Sequence, residues 1–230
     1  MALSNWRKLV IRIDDRRIAM PLTRRLLLAL FWVAIAAVPA AASSPGDADG
    51  QATAFMNHLW KRAIEVLNKD TPVAERQVRF RALFHDDFDC PGIARFVLGR
   101  YWRTASSEEQ KQFLKLFEDY VVFVYTARLS DFGGEQLKVS GSRADADSVI
   151  VSTDVITPGA PQPLKLDWRL VSDDGAYKIT DVIVEGVSMA VTQRSEFASV
   201  IQRHGGQVQG LLDLMRQKTA SAGAIAGTAQ

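Results

Sequence analysis

Leu164-Lys165-Leu166-Asp167-Trp168-Arg169-Leu170-Val171-Ser172 alternates apolar and charged side chains with a period of two. Successive side chains of an extended strand point to opposite faces, so Leu164, Leu166, Trp168 and Leu170 share one face. Lys165, Asp167 and Arg169 share the other. One buried face and one wet face mark an antiparallel sheet, because parallel strands are covered on both sides. Downstream, Asp173-Asp174-Gly175 predicts a tight turn into a strand over residues 177–185. Upstream, a proline-rich loop over 158–163 precedes the quoted stretch, and strands over 136–141 and 148–157 flank a polar turn at 142–147. Four strands with short connections predict an antiparallel meander.

Helical periodicity brackets the meander. Phe55, Leu59, Ala63, Val66 and Leu67 predict a helix over 51–69, after a polar linker at 43–50. Thr71 before Pro72 predicts an N-cap with proline at the first helical position. The helix it opens carries Val73, Val78, Phe80, Leu83 and Phe84. A short helix follows Asp89-Cys90-Pro91, with Ile93, Phe96, Val97 and Leu98 expected inward. Ser106-Ser107-Glu108-Glu109 is a capping box, in which Ser106 and Glu109 satisfy each other's free backbone donors. It opens a helix of about 25 residues with Phe113, Leu116, Phe117, Tyr120, Val124 and Ala127 on one stripe. Two closing helices are expected over 189–204 and 206–218, with a frayed tail over 219–230. The expected fold class is α+β: a helical layer packed on a curved four-stranded antiparallel sheet, with an apolar cavity between them.

Length and charge limit the functional classes. The 230 residues carry a formal charge of +2, a mild hint of nucleic acid or an anionic membrane. Residues 1–42, however, hold Arg7, Lys8, Arg12, Arg16, Arg17, Arg24 and Arg25 against only Asp14 and Asp15. The remainder has 21 basic and 24 acidic residues, a charge of −3. Arg24-Arg25 leads into an apolar run at 26–38 and then Pro39-Ala40-Ala41-Ala42, the pattern of a cleavable export signal over 1–42. Met20 begins a shorter version of the same pattern. As a helix the run spans roughly 20 Å against roughly 30 Å of hydrocarbon, which favours a cleaved signal over the alternative of an uncleaved anchor. The domain from 51 to 218 is therefore expected to be periplasmic or secreted, with no affinity for nucleic acid. Its single Cys90 forms no intrachain disulfide, and no Cys or His cluster has zinc-ligand spacing.

Catalytic patterns are sparse. His85-Asp86-Asp87 with Asp89 and Cys90 is the most enzyme-like cluster, a possible nucleophile and base. The same residues read more simply as a helix C-terminus, where His favours the dipole, followed by a cap, and that is the preferred reading. Phosphate-cradling loops and serine-nucleophile motifs are absent from the sequence. Arg95, Arg100 and Arg103 form a candidate rim for an anionic headgroup. Eleven Phe, four Tyr and five Trp suit an ordinary core, or a core from which some side chains line a cavity.

The stretch Asp89-Cys90-Pro91-Gly92-Ile93-Ala94-Arg95-Phe96-Val97-Leu98-Gly99-Arg100-Tyr101-Trp102-Arg103-Thr104-Ala105-Ser106 closely resembles the MlaC family of periplasmic phospholipid-binding proteins. Further stretches resemble it in the same order. They are residues 113–129 with Tyr125, then Asp167-Trp168-Arg169-Leu170, Ile179-Thr180-Asp181-Val182, and Glu185-Gly186-Val187-Ser188-Met189 followed by Arg194-Ser195-Glu196-Phe197. The chain departs from many members at Thr192-Gln193, where an Asn-Tyr pair is common. At Cys90 a bulkier apolar residue is common. The Thr-Gln-Arg-Ser-Glu-Phe variant resembles a branch that includes hopanoid-associated relatives.

The resemblance implies a soluble, monomeric, non-enzymatic carrier that needs no cofactor and no metal. Its cargo would be a phospholipid or a hopanoid. Its partners would be an outer-membrane lipoprotein–porin complex and an inner-membrane MCE-domain ABC transporter. Two sixteen-carbon chains represent on the order of 25 kcal/mol of gross apolar transfer, at about 0.8 kcal/mol per methylene. Bilayer and carrier must both shield the tails, so net transfer is a small difference between large quantities. Helical-stripe and strand-parity reasoning nominates Leu98, Phe113, Phe117, Tyr120, Val124, Val139, Val151, Leu166, Trp168 and Leu170 for the pocket. Arg95, Arg100 and Arg103 would form its rim.

Overall fold

The computed structural model describes residues 45–68, 70–129, 134–173 and 175–227. The expected export segment at 1–42 lies outside them. A compact unit spans Asp49–Gln230. Its helices are α1 (Pro45–Val66), α2 (Val73–Asp87), α3 (Cys90–Leu98), α4 (Tyr101–Thr104) and α5 (Ser107–Arg128). Strands β1 (Gln136–Asp145), β2 (Ser148–Ile156), β3 (Leu164–Asp173), β4 (Ala176–Val184) and β5 (Val187–Ser188) follow, then α6 (Met189–Arg203) and α7 (Val208–Gly227). No helix among the described residues is long and apolar enough to cross a membrane.

The sheet is an antiparallel meander in the order β1-β2-β3-β4-β5. It therefore has five strands where four were expected. The added strand is two residues long and pairs Ile183 with Ser188 and Val184 with Val187. Its shortness hides it from any periodicity test. The turn expected over 142–147 shrinks to Ala146-Asp147, because β1 continues to Asp145 and pairs it with Ser148. An extra residue sits in β1 between Val139 and Gly141, and another in β4 opposite Arg169/Leu170. Such bulges bend a strand and increase its twist, which curves the sheet around its inner face.

That inner face carries the apolar half of the alternation: Val151 opposite Trp168, Thr153 opposite Leu166, and Leu166 opposite Val184. The outer face is held by polar pairs. Asp145 meets Arg169 at 2.5 Å, and Asp167 accepts from Ser152 Oγ at 2.5 Å.

Local chemistry sets the helix ends. Ser106 and Glu109 form the reciprocal capping box at the head of α5, worth about 1 kcal/mol. Asp89 caps α3 by accepting the Gly92 amide at 2.9 Å. A Cβ at position 92 would lie 1.9 Å from that carboxylate, so a larger residue there would displace the cap. At the sheet–helix junction Asp181 accepts from Ser188 Oγ at 2.5 Å and from the Ala190 amide at 3.0 Å, fixing α6 onto β4.

Three boundaries differ from expectation. The helix expected from 51 begins at Pro45, inside the linker placed at 43–50, and α7 continues to Gly227 through most of the tail placed at 219–230. Small and polar side chains weaken a periodic signal without forbidding a helix. The N-cap of α2 is Pro72 and makes no side-chain cap bond, one residue later than the cap predicted at Thr71.

Candidate functional site

The apolar residues do not form one core. A helical core unites Phe84, Val97, Leu98, Phe113, Phe117, Phe197, Ile201, Leu211, Leu212 and Met215. Phe197 of α6 meets Phe113 edge-on at 5.9 Å and Phe117 at 6.4 Å, and Tyr120 lies 6.0 Å away. Each such ring pair adds about 1 kcal/mol beyond area burial. A second core lies between α1, α2 and the sheet: Ala52, Met56, Leu59, Val66 and Leu83 against Val151, Leu170 and Ile179. A third, smaller cluster continues it along the sheet through Val155, Leu166 and Val184, with Trp60, Leu137, Leu164 and Trp168 packed against it.

This division sorts the residues expected in the pocket. Val139, Val151, Trp168 and Leu170 come together at the seam between α1/α2 and the sheet. Leu166 is in the adjoining sheet cluster. Leu98, Phe113, Phe117 and Tyr120 pack in the helical core against α6 and α7. Val124 is half-buried and joins none of the three clusters. Helical periodicity finds the buried stripe of α5, but it does not tell whether sheet or helix covers that stripe. Phe55, Trp60, Phe80, Phe88 and Tyr177, all half-buried around the seam, were not nominated. The 3.6-residue spacing from Phe55 to Leu59 was the available signal.

A cleft of about 790 Å³ opens beside the seam. The α2–α3 junction supplies His85, Phe88, Asp89 and Cys90. Helix α5 supplies Lys111, Leu114, Lys115, Phe117 and Glu118, and the strands supply Val171, Ser172 and Lys178. Phe88 belongs to the floor of this cleft and packs against both large cores. Its backbone is bridged to Ile179 of β4, and the Asp89 amide donates to Ile179 O at 3.0 Å. The cleft is thus mixed in polarity rather than apolar throughout. Its cations are lysines. Arg95, Arg100 and Arg103 lie instead at the α3–α4 corner and do not line it.

The acidic cluster near the cleft has a structural role. Arg62 of α1 reaches Asp86 at 2.9 Å and Asp87 at 3.0 Å, holding α1 against the end of α2. Burial pushes the Asp87 carboxyl above its ordinary value, while Arg62 opposes that shift. The Cys90 thiol donates to Phe84 O at 3.1 Å. Burial, with Glu118 and Asp89 nearby, pushes it up to about 12. A thiol so held is a poor nucleophile. Among the described residues, no group of three or more His, Cys, Asp or Glu side chains could hold a metal ion.

The sequence pattern of the MlaC protein family matches residues 57–217, which include the helical core, the cleft and the whole sheet, while Ala52, Phe55 and Met56 of the seam precede them. The chain belongs to the MlaC family. Among named relatives, the intermembrane phospholipid transport system binding protein MlaC of Haemophilus influenzae is 22% identical over 128 residues, 54% of this chain. The toluene tolerance protein ttg2D of Pseudomonas putida is 25% identical over 126 residues, also 54% of this chain. The matches span 59% of the length of each relative. The fold is shared with a phospholipid-binding protein from Ralstonia solanacearum, solved in complex with a phospholipid. That similarity has a TM-score of 0.64 at 23% identity, and covers 76% of this chain and 99% of that one. The MlaC fold thus carries the five-stranded meander and its helical layer in this chain.

Proposed function

We propose that the chain is a periplasmic lipid carrier that takes phospholipid acyl chains into the seam between α1/α2 and the inner sheet face. The observation that carries this reading is the separation of the cores. The helical core is complete without the sheet, so the seam can part while α3, α5, α6 and α7 stay packed. Half-buried Phe55, Trp60, Trp168 and Tyr177 flank that seam, and large apolar side chains at a partly wet junction suit a site that exchanges its own contacts for lipid tails. The cleft over Phe88 serves as the mouth, with Lys111, Lys115 and Lys178 facing a headgroup phosphate. The carrier is monomeric. It exchanges cargo with an outer-membrane lipoprotein–porin complex and an inner-membrane MCE-domain ABC transporter, the partners implied by family resemblance.

Native mass spectrometry of gently purified protein tests the reading. Phospholipid mass is expected on the chain, and a hopanoid mass would reassign the cargo. An apo mass that stays apo after incubation with liposomes would sink the proposal. Val139 lies half-buried on β1, so Val139→Asp is expected to abolish lipid retention while leaving circular dichroism unchanged.

A further inference from the structure

Six arginines of the described chain form ion pairs: Arg62, Arg79, Arg81, Arg143, Arg169 and Arg216. Arg95, Arg100, Arg103 and Arg194 do not pair with any carboxylate among the described residues, and all four are exposed. They converge on the corner around Gly99, where α3 meets α4. Three of them lie over aromatic rings. Arg95 sits 5.5 Å from the centroid of Trp102, Arg100 4.9 Å from Tyr101, and Arg194 5.2 Å from Phe96. Arg100 also donates to the Tyr101 hydroxyl at 2.9 Å. The ring contacts of Arg95 and Arg194 hold the cation without using its N–H donors, and Arg100 gives up one of its donors to Tyr101. Beside them two apolar side chains face water: Phe96 is 43% exposed and Val191 53%.

We propose that this corner docks the protein on the surface of an anionic phospholipid bilayer. Guanidinium groups pair with lipid phosphates through two parallel bonds. Exposed Phe96 and Val191 supply apolar surface that can enter the headgroup layer, and Trp102 at the same corner is of the amphipathic type that settles there. An acidic protein surface would satisfy the same charges. The bilayer is favoured because the arginines carry one sign of charge beside exposed apolar groups, a combination that headgroups accept without matched geometry. The orientation follows from charge asymmetry: residues 43–230 sum to −3, so a corner with four cations turns toward the membrane and the acidic remainder turns away. This docking stands apart from the carrier reading, since a chain that never takes up a lipid tail could still dock.

The test is co-sedimentation of the full chain with phosphatidylethanolamine–phosphatidylglycerol vesicles, against phosphatidylcholine vesicles, with bound-lipid mass measured separately. Because residues 1–42 are basic themselves, the variants decide. Arg95→Gln and Arg103→Gln, both at exposed positions, are each expected to lower partition onto the anionic vesicles about fivefold. Phe96→Ser lowers it further, and Lys138→Gln with Lys165→Gln, both exposed on the sheet and outside the cleft, leaves it unchanged. Binding by the arginine variants equal to that of the unaltered chain overturns the proposal. So does loss of binding in the lysine variant alone.

Discussion

Trp168 of β3 donates its indole N–H to Thr153 Oγ1 of β2 at 2.9 Å. Thr153 is 1% exposed and donates its own hydroxyl to Leu166 O at 3.3 Å. The bond crosses the inner sheet face, among Val139, Val151 and Leu166, and holds one of the two tryptophans at the seam in one orientation. Thr153→Val removes the acceptor and leaves a half-buried indole donor unpaired. It is expected to cost about 1–2 kcal/mol in urea unfolding. Trp168→Phe in that background should cost less than the two single changes added together, because the orphaned donor goes with it. Strict additivity would show that the bond holds nothing.

Arg62 bridges Asp86 and Asp87, and the Asp87 side chain is only 7% exposed. Arg62→Ala strands that carboxylate and should cost about 2 kcal/mol near neutral pH. The pH dependence follows from the upward shift of the Asp87 carboxyl from its ordinary value of 3.8. A raised value means that the folded state holds its proton more tightly than the unfolded chain. Loss of Arg62, which lowers that value, raises it further. The deficit of the variant is therefore largest where Asp87 is ionised, and narrows as pH falls through the raised value toward 3.8. Urea midpoints across that window check it; a deficit independent of pH would refute the assignment.

Elements whose signal is local were legible in the sequence. The box of Ser106 and Glu109 needs only four residues of one helix, and the alternation from Leu164 to Leu170 needs only the pleat of one strand. What depends on two distant segments was not. Phe96 and Leu98 both fall in a plausible apolar stripe of α3, yet Leu98 is 2% exposed and Phe96 is 43% exposed. The difference lies in where α6 crosses. Phe113 and Val151 looked like two walls of one pocket, and each is buried, but in separate cores. The periodicity of an element reports that a face is covered and is silent on which element covers it.

Cys90 is a test of the cleft as it stands. Its thiol, pushed up to about 12, holds roughly a thousandfold less thiolate than an ordinary cysteine with a value near 9. Ellman's reagent should therefore react at least about a hundredfold more slowly with the native chain than in denaturant. Native labelling as fast as unfolded labelling would mean that the thiol leaves Phe84 O and opens to solvent in the cleft. Lipid in the mouth should slow labelling further.

Gly99 separates α3 from α4 with φ of 59° and ψ of −129°, a combination close to the region kept for glycine. A Cβ there would lie 2.7 Å from Arg194 Nε, the side chain that stacks on Phe96. Gly99→Ala therefore meets two penalties, a backbone strain of about 1–3 kcal/mol and a steric one. The two can be separated. Arg194→Ala in the Gly99→Ala background should recover the steric part and leave the strain, so the double variant is expected to be more stable than Gly99→Ala alone. It should remain below the unaltered chain by about 2 kcal/mol in the same urea assay. If removing Arg194 recovers nothing, the guanidinium swings clear of the new Cβ at no cost, and the whole penalty of Gly99→Ala is backbone strain.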